Sequence, residues 1–198
     1  HPEAELRLGV ENRETVVRHL AENEIDLAIM GSPPKDFDTV AEVFAEHPHV
    51  IVAAPGHPLA GQHRIAPESV AEESFLIREP GSGTRAAMER FFGERGVQLR
   101  HTVELASNET IKQAVMAGMG ISFISEHSIG LELSVGRIAR LDVVGTPVIR
   151  HWHVVHRPEK QLLPMALAFL AFMRAEAPRL IAEQPPGWCP VPVKTKRK

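Results

Sequence analysis

Apolar residues recur along the first part of the chain with two different spacings, which predict a strand, a helix and a second strand. Residues 6–10 alternate apolar and polar side chains, as in a half-buried strand. Asn12 then stands where a helix cap belongs, and the apolar residues at 16, 17 and 20 give that helix one buried face. Residues 25–30 form the next predicted strand, which ends at the turn 31–34.

The pattern continues with further apolar segments. Residues 40–44 alternate again, and residues 50–54 are apolar throughout, as expected of a strand that is covered on both faces. A proline opens a short predicted helix over residues 67–70. The apolar run 75–77 is the next predicted strand, and a helix follows it over residues 86–93.

The second half of the chain repeats this alternation of strands and helices. Its predicted strands are residues 102–105, 121–124, 138–143 and 149–156. Its predicted helices are one capped by Ser107 or Asn108, a short one over residues 128–133, and a last one over residues 161–177 that Pro178 limits. Strands alternating with helices predict an α/β fold with largely parallel pairing. From Gln184 the chain is rich in proline and then basic, which predicts a flexible tail.

The turn between the strand 75–77 and its following helix carries the most informative chemistry. Two glycines let the backbone approach a ligand closely, a hydroxyl can cap the helix start, and two arginines offer bidentate hydrogen bonds. These residues are Arg78, Gly81, Ser82, Gly83, Thr84 and Arg85. Together they predict an anion site at a helix N-terminus. The alternative is an ordinary capped helix start with exposed arginines, and the spacing excludes a Walker loop.

Three other segments stand at corresponding positions in the predicted fold. Helix starts follow at Asn12 with Arg13 and at Ser107 with Asn108 and Glu109, and a strand ends at Gly31 with Ser32. In doubly wound sheets such segments gather at the carboxyl edge of the strands, where ligands bind. Several of them from two lobes could therefore converge on one cleft, although plain capping explains Asn12 or Asn108 equally well.

Composition excludes some classes of protein. The 198 residues carry a formal net charge of −3, which argues against a nucleic-acid surface spread over the whole chain. One cysteine, Cys189, permits no internal disulfide, and this fits a reducing compartment. No apolar run approaches the roughly 20 residues of a membrane span, and no secretory signal is visible.

The chain contains eleven histidines, which invite a metal interpretation. His151 and His153 would project from one face of a strand and His156 from the other. No cysteine or spaced carboxylate joins them to complete the three or four ligands that zinc needs. They are therefore interpreted as solvent-facing strand histidines, and His47 and His49 are interpreted in the same way. Sequence motifs of hydrolases and metalloenzymes are absent.

Five segments in a fixed order resemble LysR-type transcriptional regulators, and more narrowly the branch that controls carbon-fixation (RuBisCO) operons. They are Gly9–Thr15, Ile25–Pro34, His47–Ala60, Arg78–Arg85 and Ser107–Ile121. The resemblance covers about residues 1–180.

The resemblance implies an effector-binding domain with a periplasmic-binding-protein-like fold, in which two Rossmann-like lobes flank a cleft. Crossing strands would lie near residues 73–77 and 150–156. Lobe I would comprise residues 1–73 with 157–184, lobe II residues 74–156 with the hinge strands, and the tail residues 185–198. By position, the family's effector contacts match Asn12, Arg13, Gly31, Ser32, Arg78, Gly81, Ser82, Gly83, Thr84, Arg85, Ser107, Asn108 and Glu109.

The family resemblance also implies what the domain binds. Carbon-fixation regulators respond to small anionic metabolites such as sugar phosphates, phosphoenolpyruvate or NADPH, and no cofactor, metal or catalytic activity is expected. DNA would be bound only through a winged helix outside this chain, in a cytoplasmic homodimer or homotetramer, with no membrane contact. Alternatives are a periplasmic solute-binding protein of similar fold and, further away, an enzyme on that fold.

Two departures from the family pattern bear on the site. The family's winged helix and the first strand and helix of lobe I are not found in the chain, so lobe I is expected to expose an unpaired edge. Ser32 stands where this branch often carries arginine, which implies one cation fewer in the cleft.

Overall fold

The computed structural model describes residues 5–182, which form a mixed sheet with helices on both faces. The strands are β1 (Ala28–Met30), β2 (Val40–Ala53), β3 (Ser74–Arg78), β4 (His101–Leu105), β5 (Ile121–Ser125), β6 (Ala139–Arg140) and β7 (Val148–His156). The helices are α1 (Arg13–Ala21), α2 (Pro67–Ala71), α3 (Gly83–Gly93), α4 (Asn108–Met116), α5 (Gly130–Ser134) and α6 (Pro164–Ala182), and Glu126–Ser128 form a 3₁₀ turn. No helix within residues 5–182 is both long and apolar enough to span a membrane.

The strands are hydrogen-bonded in the order β1-β7-β2-β5-β3-β4, with β6 paired to β2. Only β3 pairs in parallel, with β4 and with β5, while β2 runs antiparallel to β5, β6 and β7, and β1 antiparallel to β7. The prediction of largely parallel pairing is therefore wrong for these strands. The reason is that β2 carries the chain from one half of the sheet to the other and β7 carries it back.

Strands β2 and β7 join the apolar clusters of the two halves. Residues 50–53 of β2 lie in the two clusters that hold β3 and helices α3 and α4. Phe44 of β2 and Val154 of β7 lie in a cluster with α6, and Val155 lies in a cluster with α1. Val148 of β7 packs against the cluster that holds α3, so both strands contribute side chains to both halves of the molecule.

The strand predicted over residues 149–156 is confirmed, and β7 makes the crossing predicted near residues 150–156. The crossing predicted near residues 73–77 is wrong, because β3 pairs with β4 and β5 and its apolar residues share the clusters of residues 50–53. The second crossing strand is β2. The predicted segments 40–44 and 50–54 are two ends of this one strand, and a register shift lies between Val43 and Ala45. The lobe limits predicted at residues 73 and 156 stay a prediction.

Residues 5–10 form no strand, contrary to the alternation of their side chains. Leu6, Leu8 and Val10 are 79%, 82% and 88% exposed. A strand needs a neighbour to satisfy its backbone groups, and none of the described strands lies beside this segment.

Helix α6 continues past the predicted stop at Pro178 and reaches Ala182. Ala177 is buried and Ile181 packs against the same cluster as Leu170 and Met173. This packing on both sides of the proline keeps the turn helical despite the lost backbone hydrogen bond. The predicted tail from Gln184, and Cys189 within it, lie outside the described residues.

A prediction concerns Gly120, where the chain enters β5. A Cβ there would overlap the carbonyl oxygen of Ser74 on β3, so Gly120→Ala is expected to lower the free energy of unfolding by about 1–3 kcal/mol. Gly93→Ala is the matched control, because a Cβ at Gly93 would meet nothing within 4 Å and alanine favours the helix by up to about 1 kcal/mol. Urea denaturation of both variants measures the difference, and equal stabilities would contradict the packing described.

Candidate functional site

Three helices, α1, α3 and α4, have side-chain caps at their N-termini. Asn12 Oδ1 accepts the Thr15 N–H at 3.0 Å, and Ser107 Oγ accepts the Thr110 N–H at 3.1 Å. Ser82 Oγ accepts the N–H groups of Thr84 and Arg85 at 3.3 and 3.5 Å. The predicted caps are thus confirmed, with Ser82 rather than Thr84 at α3 and Ser107 rather than Asn108 at α4.

The N-termini of α1 and α3 meet. The Glu14 N–H donates to the Gly81 carbonyl at 3.2 Å. Gly81 has a φ of +82°, and a Cβ there would collide with the Glu14 carboxylate, so glycine is required twice over. A Cβ on Gly83 would lie 3.6 Å from Cδ of Arg13. The structure therefore brings the predicted group at residues 12–13 together with the predicted turn at 81–83.

Arg78 is occupied by protein partners. Its Nε and Nη2 donate to both oxygens of Glu79 at 2.7 and 2.8 Å, and its Nη1 donates to Asn108 Oδ1 at 2.7 Å. Burial raises the pKa of Glu79, but hydrogen bonds from Arg78, the backbone and Asn12 outweigh it and hold the pKa below its ordinary value. This chain of contacts links Asn108, at the start of α4, to Asn12, at the start of α1.

Arg85 is paired as well. Its Nε donates to Glu89 at 2.9 Å, and its Nη1 donates to Glu104 at 2.7 Å and to the Arg78 carbonyl at 3.1 Å. Hydrogen bonds to Glu89 and Glu104 raise the pKa of Arg85. Carboxylates therefore already balance the charges of both arginines that the sequence singled out.

Two other arginines, Arg13 and Arg150, both contact Ser32 and have no carboxylate partner among the described residues. Arg150 of β7 donates to the Gly83 carbonyl at 3.0 Å and to Ser32 Oγ at 3.1 Å. Arg13 donates to the carbonyls of Ser32 and Pro33, each at 3.2 Å. Burial lowers the pKa of Arg150, and the positive charges of Arg90 and Arg13 add to this effect. Arg150 thus ties the turn after β1 to the start of α3.

The sequence interpretation missed Arg150. The strand prediction covered it, but no charge role was assigned. The signal was available, because a charged residue inside a long strand predicted to cross between lobes calls for a partner.

Gly31 permits this arrangement. A Cβ on Gly31 would lie 3.0 Å from Nη2 of Arg150 and 3.3 Å from Nδ1 of His47. Both side chains therefore rest against the backbone of the turn that follows β1. Gly31 and Ser32, both predicted site residues, lie at this point.

The remaining predicted site residues, Thr84, Ser107 and Glu109, lie at the starts of α3 and α4. Ser107 caps α4, and the exposed Glu109 pairs along the same helix with Lys112 and Gln113. Thr84 takes part through its backbone N–H. The hydrogen bond between Asn108 and Arg78 connects α4 to the other two helix starts.

The interpretation of His47 and His49 as solvent-facing is wrong. They are 5% and 0% exposed, because β2 is covered at this point by strands on both sides and by the rings around it. The His47 ring stacks on Trp152 at a centroid distance of 3.7 Å, and the His49 ring stacks on Phe123 at 5.2 Å. His151 is exposed as predicted, and His153 and His156 are half-buried. No group of three potential metal ligands occurs in residues 5–182.

Burial sets the charge state of the two buried histidines. It lowers the pKa of His47 to about 2, with further contributions from the charges of His49, Arg150 and His127. It lowers the pKa of His49 to about 4, aided by the charge of Arg150. Both rings are therefore neutral at physiological pH.

Residues 1–178 match the family described as the LysR substrate binding domain, so this chain belongs to that family. Among its relatives are transcriptional regulators whose names refer to the RuBisCO operon. The RuBisCO operon transcriptional regulator of Allochromatium vinosum is 49% identical over 175 residues, which are 88% of this chain and 58% of that protein. The regulator CfxR of Cupriavidus necator is 46% identical over 190 residues, which are 96% of this chain and 60% of that protein. The chain therefore spans about three fifths of the length of these regulators.

Solved structures show the same fold. The regulatory domain of CcmR from Synechocystis PCC6803, solved in complex with 2-PG, has a TM-score of 0.85 at 36% identity over 93% of this chain and 87% of that chain. The effector binding domain of QuiR, in complex with shikimate, has a TM-score of 0.73 at 20% identity over 88% of this chain and 80% of that chain. The predicted α/β fold of the periplasmic-binding-protein type is confirmed.

The buried histidines predict a pH dependence of stability. Their pKa values of about 2 and 4 lie below the ordinary 6.5, so unfolding takes up protons once the pH falls below that value. Their contribution is complete above about pH 7.5 and is lost toward pH 4, by up to about 1.4 kcal/mol per pH unit for each histidine. Urea unfolding between pH 7.5 and 5 measures this slope. His47→Phe should reduce this slope by up to about 1.4 kcal/mol per pH unit, and an unchanged slope would contradict the burial of a neutral His47.

Proposed function

We propose that the chain is the effector-binding domain of a carbon-fixation operon regulator and that it senses a small phosphorylated anion between α1 and α3. The names of its relatives support the regulatory role. The CcmR regulatory domain, which is similar over most of its length, was solved with 2-PG, a small phosphorylated ligand. The observation that carries the proposal is Arg150, a half-buried guanidinium group bonded only to a carbonyl and a hydroxyl oxygen in the described structure.

The proposed site combines two kinds of positive potential, helix dipoles and arginine charges. The N-termini of α1 and α3 each present the positive end of a helix dipole, while Asn12, Gly81 and Ser82 accept most of their first N–H groups. Arg13 and Arg150 add two charges whose carbonyl and hydroxyl partners leave them uncompensated. A phosphate group accepts several charge-assisted hydrogen bonds at once, so it suits this arrangement better than a single carboxylate does.

This proposal redistributes the roles that the sequence predicted. Arg150 and Arg13 supply the charge, Asn12 and Ser32 supply polar contacts, and residues 81–83 supply the glycine-lined backbone. Arg78 instead holds Glu79 and Asn108 in place, and Arg85 braces α3 against Glu104 on β4. Thr84, Ser107 and Glu109 border the site through the helix starts that they belong to.

The effector would act on the angle between the two halves. Ser32 lies in the turn after β1, where Arg13 contacts it, and Gly83 begins α3. An anion bound among these residues would therefore contact both halves of the molecule. Differential binding of this kind typically supplies a coupling free energy of about 1–3 kcal/mol. We propose that a DNA-binding winged helix outside this chain receives the signal, in a cytoplasmic homodimer or homotetramer.

Replacing Arg150 tests the charge assignment. Arg150→Gln is expected to weaken binding of 2-phosphoglycolate or phosphoenolpyruvate by about 10- to 100-fold, the worth of a charge-assisted hydrogen bond. Arg85→Gln is the matched control, and should change affinity less than about threefold because its charge is already paired. Isothermal titration calorimetry of both variants, with thermal unfolding to verify folding, measures the contrast. Equal losses in the two variants would reject the assignment.

A further inference from the structure

Two buried ring nitrogens near the proposed site have no hydrogen-bond partner among the described residues. They are Nδ1 of His47 and Nε2 of His49. The other nitrogen of each ring is bonded: His47 Nε2 to Ser125 Oγ at 2.9 Å, and His49 Nδ1 to the His47 carbonyl at 3.1 Å. Buried polar atoms in native proteins are nearly always paired, so an atom left alone calls for a partner.

His47 Nδ1 borders the proposed effector site. The position of a Cβ on Gly31 lies 3.3 Å from this nitrogen and 3.0 Å from Nη2 of Arg150. His47 and Arg150 stand directly opposite each other on β2 and β7. The unpartnered nitrogen and the unpaired guanidinium group therefore lie at the same turn. His49 Nε2 has the rings of His47 and Phe123 as its neighbours and is given no role.

The orientation of the His47 ring is fixed from two sides. Its face stacks on Trp152 at 3.7 Å, and its Nε2 is held by the Ser125 hydroxyl at 2.9 Å. A neutral imidazole carries one hydrogen, and when the Ser125 hydroxyl donates to Nε2 that hydrogen is on Nδ1. Arg150 has only donors to offer. The two groups thus present converging donors that a ligand oxygen can accept.

We propose that His47 is a specificity-determining residue whose Nδ1–H binds a second oxygen group of the effector, a carboxylate or hydroxyl, beyond the phosphate. The site then takes phosphorylated acids or sugars in preference to a phosphate ester with an apolar end. This inference rests on the proposed function, because it presumes that the phosphate occupies the site beside Arg150.

The test compares two probes of nearly equal size on the 198-residue chain. 2-Phosphoglycolate carries a carboxylate where ethyl phosphate carries a methyl group. Calorimetry on the unaltered chain is expected to show about tenfold tighter binding of 2-phosphoglycolate, and His47→Phe should remove most of that preference while retaining the aromatic stack. The matched control is His127→Phe, a histidine of the same ring stack whose Nδ1 accepts from Trp152 at 3.4 Å, and it should keep the preference.

The outcomes separate the two proposals. If neither probe binds the unaltered chain, the proposed function fails and this inference fails with it. If both bind but His47→Phe leaves the preference unchanged, or His127→Phe removes it equally, the inference about His47 fails alone.

A second measurement needs no change at His47. Trp152 stacks on His47, and Trp188 is the other tryptophan of the chain, so a Trp188→Phe variant reports Trp152 emission alone. We expect 2-phosphoglycolate at saturation to change this emission more than ethyl phosphate does. Equal changes with both bound probes would overturn the role of His47.

Discussion

The antiparallel pairing of β2 with β7 is the constraint on which the rest of the structure depends. It extends from Val40 opposite His156 to His49 opposite Val148. Both strands contribute side chains to the apolar clusters of the two halves. The relative orientation of the halves therefore depends on the twist of two adjacent strands, which is a softer joint than an apolar interface that excludes water.

Two polar side chains lie at this joint and lower the stability of the fold. Arg150 and His47 stand opposite each other on β7 and β2, where His47 is buried and Arg150 is half-buried. An uncompensated guanidinium costs free energy to bury, and apolar residues at such positions are often more stable. An anion that binds Arg150 would offset this cost, and the same contact would favour one angle between the halves. On this account, the unbound domain is less stable than it would be with apolar residues at this joint, and this cost lets an anion that binds there change the angle between the halves.

The sequence was sufficient wherever the cause of a structure is local. The caps Asn12, Ser82 and Ser107 and the apolar run 75–77 depend on neighbours within a few residues, and each prediction is confirmed. The strand prediction for residues 6–10 was wrong because a strand depends on a partner that the pattern of one segment does not reveal. The interpretation of His47 as solvent-facing was wrong because alternation along β2 does not show which strands cover this residue.

The site was harder to predict because the partner of a charged side chain is decided in three dimensions. Arg78 and Arg85 stand in a turn with every local feature of an anion site, yet carboxylates of Glu79, Glu89 and Glu104 take up their charges. Arg150 stands alone in the sequence, and the fold places it between Ser32 and Gly83, more than fifty residues away from each. The pairing of β7 with β1 and with β2 helps to bring these groups together.

A crystal structure of the chain bound to 2-phosphoglycolate tests the central claim most directly. The account predicts phosphate density between the starts of α1 and α3, within hydrogen-bond distance of Arg150. Density elsewhere, for example against Arg85, would contradict it.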